Sequence, residues 1–140
     1  MNIVNSYSLS NHNTFHINVN AELFINIESE SQLLELLDEK KIVNKNIFIL
    51  GGGSNILLTK DIQGLVIHNA IKGINITKEN HKEIIIEIGA GELWDKVVEW
   101  STKRDLYGIE NLSLIPGYTG ATPIQNIGAY GTELKDVFEE

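Results

Sequence analysis

The chain has no cysteine, so disulfides, thiolate metal sites and a cysteine nucleophile are excluded. No apolar run approaches the roughly 20 residues of a membrane span, and the polar stretch from Met1 to Ser10 lacks the hydrophobic segment of a signal peptide. The lack of such a run also leads us to expect no membrane contact. No basic cluster offsets the formal net charge of −8, so we do not expect a nucleic-acid surface. A cytoplasmic protein is the simplest interpretation.

What the chain does contain is enough apolar material for a folded core. Its 140 residues are 42% hydrophobic, which is typical of globular domains and not of disordered chains. From Asp136 to Glu140 the residues alternate as they do at the start of a strand, and neither a turn nor a partner strand follows. This ending predicts a fragment of a longer protein.

Glycine is concentrated in one stretch, around which the rest of the predicted fold is arranged. Apolar runs at 47–50 and 56–58 predict strands on either side of a tight loop. The loop consists of Gly51, Gly52, Gly53, Ser54 and Asn55. Three residues without a Cβ let backbone amides point into one concavity, which suits an anion such as a diphosphate, and the two polar side chains add donors. An ordinary glycine-rich hairpin is the alternative, and these residues alone leave both interpretations open.

Two common phosphate-binding loops do not match this stretch. A Walker loop requires a Gly-Lys-Ser/Thr triplet, whereas Lys60 follows a threonine. The dinucleotide fingerprint of a Rossmann fold requires a third glycine that opens a helix, whereas a strand-like run begins at Ile56. A nucleotide bound here would therefore lie on a loop between strands.

The residues before the glycine loop predict a βαβ unit. A strand at 23–27 precedes a capping box, Ser29 with Gln32, and the box starts a helix predicted over 30–40. The helix should bury Leu33, Leu34 and Leu37 on one face and carry Lys40 and Lys41 at its C-terminal end. Together with the strand at 47–50, this pattern predicts a right-handed crossover.

Beyond the loop, strands are predicted at 65–68, 74–77 and 83–88, the last of them covered on both faces. Gly89-Ala90-Gly91 then leads into a helix predicted over 92–104. The apolar spacing of Leu93, Val97 and Trp100 places this helix against a sheet, and Trp94 and Trp100 are interpreted as core residues and not as a flavin platform.

The N-terminal arm predicts one short strand and no metal site. The strand covers Thr14 to Ile17, with Phe15 and Ile17 facing inward. His12 and His16 stand four residues apart, but the stretch is not helical and no carboxylate is in register with them. We interpret them as a solvent-facing pair.

A second informative stretch, from Ile115 to Gly131, is rich in small residues. Pro123 suits the first turn of a short helix that Thr122 could cap. A helix N-terminus preceded by Gly120 is a place for a phosphate or the edge of a polar ring, and Gly128 lets a flat ligand approach closely. A packed connecting loop is the alternative, and spacing alone does not decide between the two.

The two stretches together resemble the UDP-N-acetylenolpyruvoylglucosamine reductase family, flavoenzymes of peptidoglycan precursor synthesis. The residues that carry the resemblance are Gly51 to Asn55, Ile115-Pro116-Gly117, Gly120 to Pro123 and Gln125 to Gly131, with Asn13-Thr14-Phe15, Gly89-Ala90-Gly91 and Trp94 in support. The likeness covers nearly the whole chain and the combination of motifs is specific. One departure is His16, where the family often has glycine, and it lies outside both flavin motifs.

The resemblance implies an α/β or α+β fold, the FAD-binding fold of the vanillyl-alcohol-oxidase type, with two α/β subdomains and FAD between them. Residues 1–70 would form the first FAD-binding subdomain, and residues 71–140 would begin a second, truncated one. The substrate-binding third domain would be absent. A monomer is the expectation that goes with this fold.

The resemblance also implies roles for individual residues. Gly51, Gly52, Gly53, Ser54 and Asn55 would surround the FAD diphosphate. The residues that would line or approach the flavin are Pro116, Gly117, Gly120, Ala121, Thr122, Ile124, Gln125, Ile127 and Gly128, with Tyr130 as a further candidate.

The reaction implied is reduction of the enolpyruvyl double bond of UDP-N-acetylglucosamine enolpyruvate to give UDP-N-acetylmuramate, with NADPH as electron donor and FAD as carrier. The family's catalytic serine, glutamate and arginine lie in motifs that this chain does not contain. No catalytic residue is therefore predicted here. We expect the 140 residues alone to bind FAD weakly and to turn over no substrate.

Two other functions remain open. One is an oxidase of the same fold that passes electrons to oxygen; many such enzymes attach FAD through a histidine or cysteine near the first loop, and neither occurs there. The other is a nucleotide-binding module without catalytic activity.

Overall fold

The computed structural model describes residues 2–39, 42 and 44–139 and divides into two compact units, Met1–Ile71 and Lys72–Glu140. The elements of the first unit are strand β1 (Val4–Ser8), strand β2 (Asn20–Ile27), helix α1 (Glu30–Leu37), strand β3 (Ile47–Leu50) and strand β4 (Ile62–Asn69). A 3-10 turn at Ser10–His12 follows β1. In the part of the chain that is described, no helix has the length and apolar character to cross a membrane.

The first unit is built on a mixed four-stranded sheet in the order β1-β2-β4-β3. Strand β1 pairs with β2 in the antiparallel direction, and both β2 and β3 run parallel to β4. The predicted β2-α1-β3 crossover is therefore present, but β4 lies between its two strands. Because β4 is central, Leu65, Val66 and Ile67 are all buried.

Alternating side chains of this sheet supply two apolar clusters, as the two-residue period of strands requires. One cluster contains Phe24, Leu50 and Val66 together with Leu9 and Val19 from the β1–β2 connection. The other contains Ile25, Ile27, Leu36, Ile42, Leu65 and Ile67, so it covers the side on which α1 packs.

Helix α1 begins as predicted but buries only part of the predicted face. The Ser29 hydroxyl accepts a hydrogen bond from the Gln32 amide at 3.3 Å, which confirms the cap. Leu36 is completely buried and Leu33 is half-buried against the same cluster, whereas Leu34 and Leu37 are exposed. The predicted C-terminal residues Lys40 and Lys41 lie outside the described residues.

Two predicted strands of the first unit do not form. The chain after the glycine loop, 56–58, is irregular, because β3 and β4 are parallel and the connection must return along the sheet before β4 begins at Ile62. Residues 14–17 are also irregular, and Phe15 is exposed. Conversely, β1 was not predicted.

The second unit contains smaller sheets and short helices. Its elements are strands β5 (Ile74–Glu79) and β6 (Ile84–Ile88), helix α2 (Trp94–Thr102), helix α3 (Thr122–Gln125), and strands β7 (Gly128–Ala129) and β8 (Thr132–Glu133). β5 pairs with β6 and β7 with β8, both antiparallel. The core gathers Trp94, Val97, Val98, Leu112, Ile127 and Leu134, with Ile74, Ile86 and Ile88 packed against it.

Three expectations for this unit need correction. Among the described residues β6 pairs with β5 alone, so its isoleucines are only half-buried and not covered on both faces. Trp94 is buried as predicted, but Trp100 is half-buried beneath the Arg104 guanidinium, 4.1 Å from the ring centroid. In place of a strand, the C-terminal stretch has a 3-10 turn at Leu134–Asp136, which buries Leu134.

Candidate cofactor-binding segments

The glycine loop leaves the sheet where the β3–β4 ladder stops. The last paired residue is Leu50, opposite His68, so Gly51 to Asn55 follow the carboxyl end of a parallel strand, where ligands of α/β sheets bind. Within the described residues, none of the loop and turn hydrogen bonds between backbone groups is donated by the amides of Gly51, Gly52 or Gly53. The loop therefore fits an anion-binding role.

Contacts within the protein, and not a ligand, require glycine at position 53. Its φ is +65°, a conformation that L side chains rarely adopt, and a Cβ there would overlap the carbonyl oxygen of His12. The Gly53 carbonyl accepts two hydrogen bonds from Thr14, from the amide at 3.2 Å and from the hydroxyl at 3.1 Å. The sequence signal for close approach is correct, but at this residue the close neighbour is the segment 12–14.

The segment that touches Gly53 is itself held by a buried asparagine. Asn13 donates through Nδ2 to the carbonyls of Leu9 at 2.8 Å and Ile17 at 3.1 Å. Its Oδ1 accepts from the Ile17 amide at 2.9 Å. These bonds take the place of strand pairing, which explains why residues 14–17 are not a strand.

His12 does not face solvent as predicted. It is half-buried, its Nε2 lies 3.2 Å from the Tyr7 hydroxyl, and its ring contacts the buried ring of His68 at 4.7 Å between centroids. Phe24 stacks on Tyr7 at 3.9 Å, and the Nδ1 of His68 lies 2.6 Å from the Oδ1 of Asn26. Burial lowers the pKa of His12, since the charged ring would lose water contacts.

In the second unit the segment 117–120 is fixed by pairing with residues 90–94, at and just before the start of α2. The Trp94 amide donates to Gly117, and the Thr119 amide and hydroxyl donate to Glu92, at 3.0, 2.8 and 3.1 Å. The Gly120 amide donates to the Ala90 carbonyl at 2.9 Å. Sequence reasoning did not predict this pairing, although the Gly-Ala-Gly at 89–91 was a signal for a close approach between two backbones.

Lys72 adds a positive charge beside this pairing. Its ammonium donates to the Gly91 carbonyl, lies 3.9 Å from the Glu92 carboxylate and sits 4.9 Å from the centroid of the Tyr118 ring. The other carboxylate oxygen of Glu92, Oε1, accepts a hydrogen bond from the Gly73 amide at 2.9 Å. Lys72 and Glu92 therefore stabilise this part of the backbone through contacts with Gly73, Gly91 and Tyr118.

Helix α3 has one turn and begins differently from the prediction. Pro123 lies in the first turn as expected, but the Thr122 hydroxyl donates to the Thr119 carbonyl at 2.7 Å and does not cap the helix. Asn126 ends the helix in a left-handed conformation with φ of 42°. The short β7–β8 hairpin follows directly.

The predicted flavin residues differ sharply in accessibility. Ile124 and Tyr130 are 87% and 92% exposed, and Pro116, Gly120, Gln125 and Gly128 are also exposed. Gly117 and Ala121 are half-buried. Thr122 and Ile127 are buried, at 4% and 8% exposed, and Ile127 belongs to the core of the unit.

Both segments lack charged side chains. None occurs between Lys45 and Lys60, and none occurs between Glu110 and Glu133. A diphosphate beside the first segment would meet no carboxylate from its chain neighbours, and the neutral second segment suits an uncharged ring system. The donor groups and small residues present therefore fit FAD. In the described part of the chain, no cluster of His, Asp and Glu residues could hold a metal ion.

Comparison with known proteins defines the class. A family model described as an FAD binding domain matches residues 21–140, and the chain belongs to this family. A crystal structure of UDP-N-acetylenolpyruvylglucosamine reductase from Thermus caldophilus aligns with a TM-score of 0.65 and 24% identity, covering 94% of this chain and 44% of that one. The predicted mixed α and β FAD-binding fold is confirmed.

Curated relatives narrow the resemblance. The chain is 51% identical over 138 residues to UDP-N-acetylenolpyruvoylglucosamine reductase from Flavobacterium johnsoniae, covering 99% of this chain and 40% of the relative. It is 47% identical over 132 residues to the reductase of that name from Pseudomonas aeruginosa, with coverage of 94% and 39%. The resemblance seen in the sequence motifs is confirmed, and the chain spans about two fifths of the length of these relatives.

Proposed function

We propose that the chain is the FAD-binding part of a UDP-N-acetylenolpyruvoylglucosamine reductase. The protein would use NADPH to reduce the enolpyruvyl group of its UDP-linked sugar to UDP-N-acetylmuramate. The observation that carries this proposal is identity of 44% or more to eight reductases over at least 94% of the chain. FAD, when held by residues of this chain, would supply the hydride transfer between NADPH and the substrate double bond.

The residues of this chain would bind and orient the cofactor. We assign the diphosphate to the loop 51–55, whose backbone amides lie beyond the end of a parallel ladder. We assign the flavin to residues of the stretch 116–130, where the 117–120 backbone is held rigid by its pairing with 90–94. No group in the chain is assigned the role of catalytic acid, so residues outside this stretch of the protein must supply it.

Asn55→Asp tests the diphosphate assignment. The substitution keeps the side-chain shape and places a carboxylate beside the proposed phosphates, so we expect FAD affinity to fall about fivefold to tenfold at low salt. The effect should shrink at high salt because exposed charges are screened. Titration of the chain with FAD, followed by flavin fluorescence, measures both.

The matched control is Asn75→Asp on β5, an exposed residue whose substitution changes the net charge by the same amount. It should leave FAD affinity unchanged. Equal affinities for Asn55→Asp and the unchanged chain would contradict the assignment of the loop.

The reaction is tested in a protein that contains this chain and matches the relatives in length. We expect its flavin absorbance to bleach with NADPH and to return on addition of the enolpyruvyl sugar. Return with oxygen and a simple sugar or alcohol would indicate an oxidase, and a colourless protein would indicate a module without flavin chemistry. A monomeric, cytoplasmic enzyme is part of the same proposal.

A further inference from the structure

The glycine loop is tied to the β1–β2 connection through the carbonyl of one residue. Gly53 accepts from both the amide and the hydroxyl of Thr14, which lies 39 positions earlier in the chain. Thr14 is exposed, so burial does not force its hydroxyl to bond to the protein. Two donors on one acceptor restrict the direction of the Gly53 carbonyl more than either bond alone.

A fixed carbonyl also fixes the next amide. The described peptide bonds are all trans, and a planar trans peptide places its C=O and N–H on opposite sides. With the Gly53 carbonyl held toward Thr14, the amide of Ser54 must point away from Thr14. If an anion lies on the side to which the Ser54 amide points, rotation of this peptide would turn the Gly53 carbonyl toward it.

The support behind Thr14 is rigid. Asn13 is 4% exposed and makes three hydrogen bonds to the backbone of Leu9 and Ile17. Leu9 and Val19, at the two ends of this connection, share an apolar cluster with Leu50 and Leu58, which flank the glycine loop. The connection and the loop are thus anchored in the same part of the core.

We propose that Thr14 is a positioning residue for the diphosphate loop and that its hydroxyl orients the Gly53–Ser54 peptide for the phosphates. The inference rests on the proposed function, because it takes the loop as the diphosphate site. Thr14 need not touch the ligand. It acts through Gly53.

Thr14→Val is the main variant, since valine keeps the shape and removes only the hydroxyl. We expect the affinity of the chain for FAD and for ADP to fall about tenfold, the range of one hydrogen bond to a fixed acceptor. Thr14→Ser keeps the hydroxyl and should restore both affinities. Thr77→Val is the matched control, because the Thr77 hydroxyl donates to the Ile85 carbonyl at 3.3 Å in the second unit.

Two further measurements separate positioning from stability. The urea midpoint of Thr14→Val without ligand should stay near that of Thr77→Val. The amide resonance of Ser54 in the ligand-free chain should shift in Thr14→Val and stay in place in Thr14→Ser. A merely structural role would lower the midpoint of Thr14→Val below that of Thr77→Val and would leave the Ser54 amide resonance in place.

The outcomes are distinct. If the unchanged chain binds FAD and ADP but Thr14→Val binds them equally well, the positioning role is wrong and the proposed function stands. If a protein that contains this chain and matches the relatives in length binds neither ligand, the proposed function fails. A Ser54 resonance that does not move in Thr14→Val would overturn the orientation of the peptide. If Thr14→Ser is as weak as Thr14→Val, the hydroxyl is not responsible.

Discussion

The two candidate cofactor segments are both rich in glycine and free of charge, but they are held in different ways. The loop 51–55 follows the end of a parallel ladder and is joined to the 12–14 segment through the Gly53 carbonyl. The segment 117–120 is paired along its length with the residues 90–94. A glycine-rich, uncharged sequence therefore has two different structural causes here. The loop 51–55 is held at a single carbonyl, whereas the segment 117–120 is held by backbone pairing.

The glycines themselves show the same contrast. Gly53 needs both its left-handed φ and the absence of a Cβ, because the His12 carbonyl occupies that space. Gly120 has an ordinary φ but lies against Ala90, so it needs only the absence of a side chain. Close approach within the protein, and not only to a ligand, explains these two glycines.

The largest expected loss of stability comes from a substitution in the loop 51–55. Gly53→Ala should lower the free energy of unfolding by about 3 to 4 kcal/mol, because left-handed strain and a backbone overlap add. Gly131→Ala has comparable φ, +83°, with nothing within 4 Å of its Cβ, so it should lose only about 1 to 2 kcal/mol. Urea unfolding compares the two, and equal losses would show that the contact with His12 is unimportant.

A smaller effect tests the second region. A Cβ on Gly120 would lie 2.6 Å from the Cβ of Ala90, so Gly120→Ala should lose about 2 kcal/mol. Adding Ala90→Gly should recover part of the loss, because it removes one of the two overlapping atoms. Failure of the double variant to exceed the single one in urea midpoint would place the strain elsewhere in the pairing.

Next in size is the buried tryptophan of the second region. The indole N–H of Trp94 donates to the Leu112 carbonyl at 2.8 Å, so Trp94→Phe leaves a buried acceptor unsatisfied and should lose about 1 to 3 kcal/mol. Trp100→Phe should lose less than about 1 kcal/mol, because that ring is half-buried and contacts an exposed guanidinium. Thermal or urea unfolding of both variants decides whether the indole hydrogen bond matters.

The smallest effect sharpens the comparison through pH. Burial lowers the pKa of His12 from its ordinary 6.5, so the unfolded chain takes up a proton at higher pH than the folded one. The contribution of neutral His12 to the free energy of unfolding is therefore complete above pH 6.5. It is lost as the pH falls through 6.5 and below. In the second region, Lys103 and Lys96 hold the pKa of Glu99 at about 2, well outside this window.

The measurement is the urea midpoint of the unchanged chain and of His12→Gln between pH 7 and pH 5. We expect the unchanged chain to lose stability over this range and the variant to lose less. Identical slopes would mean that His12 does not titrate differently in the folded state.

Local chemistry predicted much of the fold. Ser29 is a correct cap because its hydroxyl needs only the amide of Gln32, three residues away. The apolar run before the glycine loop is a strand, as are the runs near 65, 74 and 84. The strand predicted after the loop, at 56–58, does not form, although these residues have the composition of a strand. Because β3 and β4 are parallel, they belong to the connection that returns along the sheet.

For the candidate site, the sequence indicated the glycine loop and the small-residue stretch, and the roles of their residues in FAD binding remain predictions. It did not predict the contacts around them, because these join distant positions: Thr14 with Gly53, Ala90 with Gly120, and His12 with both Tyr7 and His68. His12 was therefore interpreted as exposed when it is packed among aromatic rings.

The sequence by itself determined the FAD-binding family, the starts of the main helices within a few residues, and the two segments without charge, since these depend on neighbours along the chain or on motifs shared with relatives. Tertiary structure decided which face of α1 is buried, which strands pair and what lies against each glycine. Those outcomes depend on packing between residues far apart in sequence, where burial and steric fit outweigh local preference.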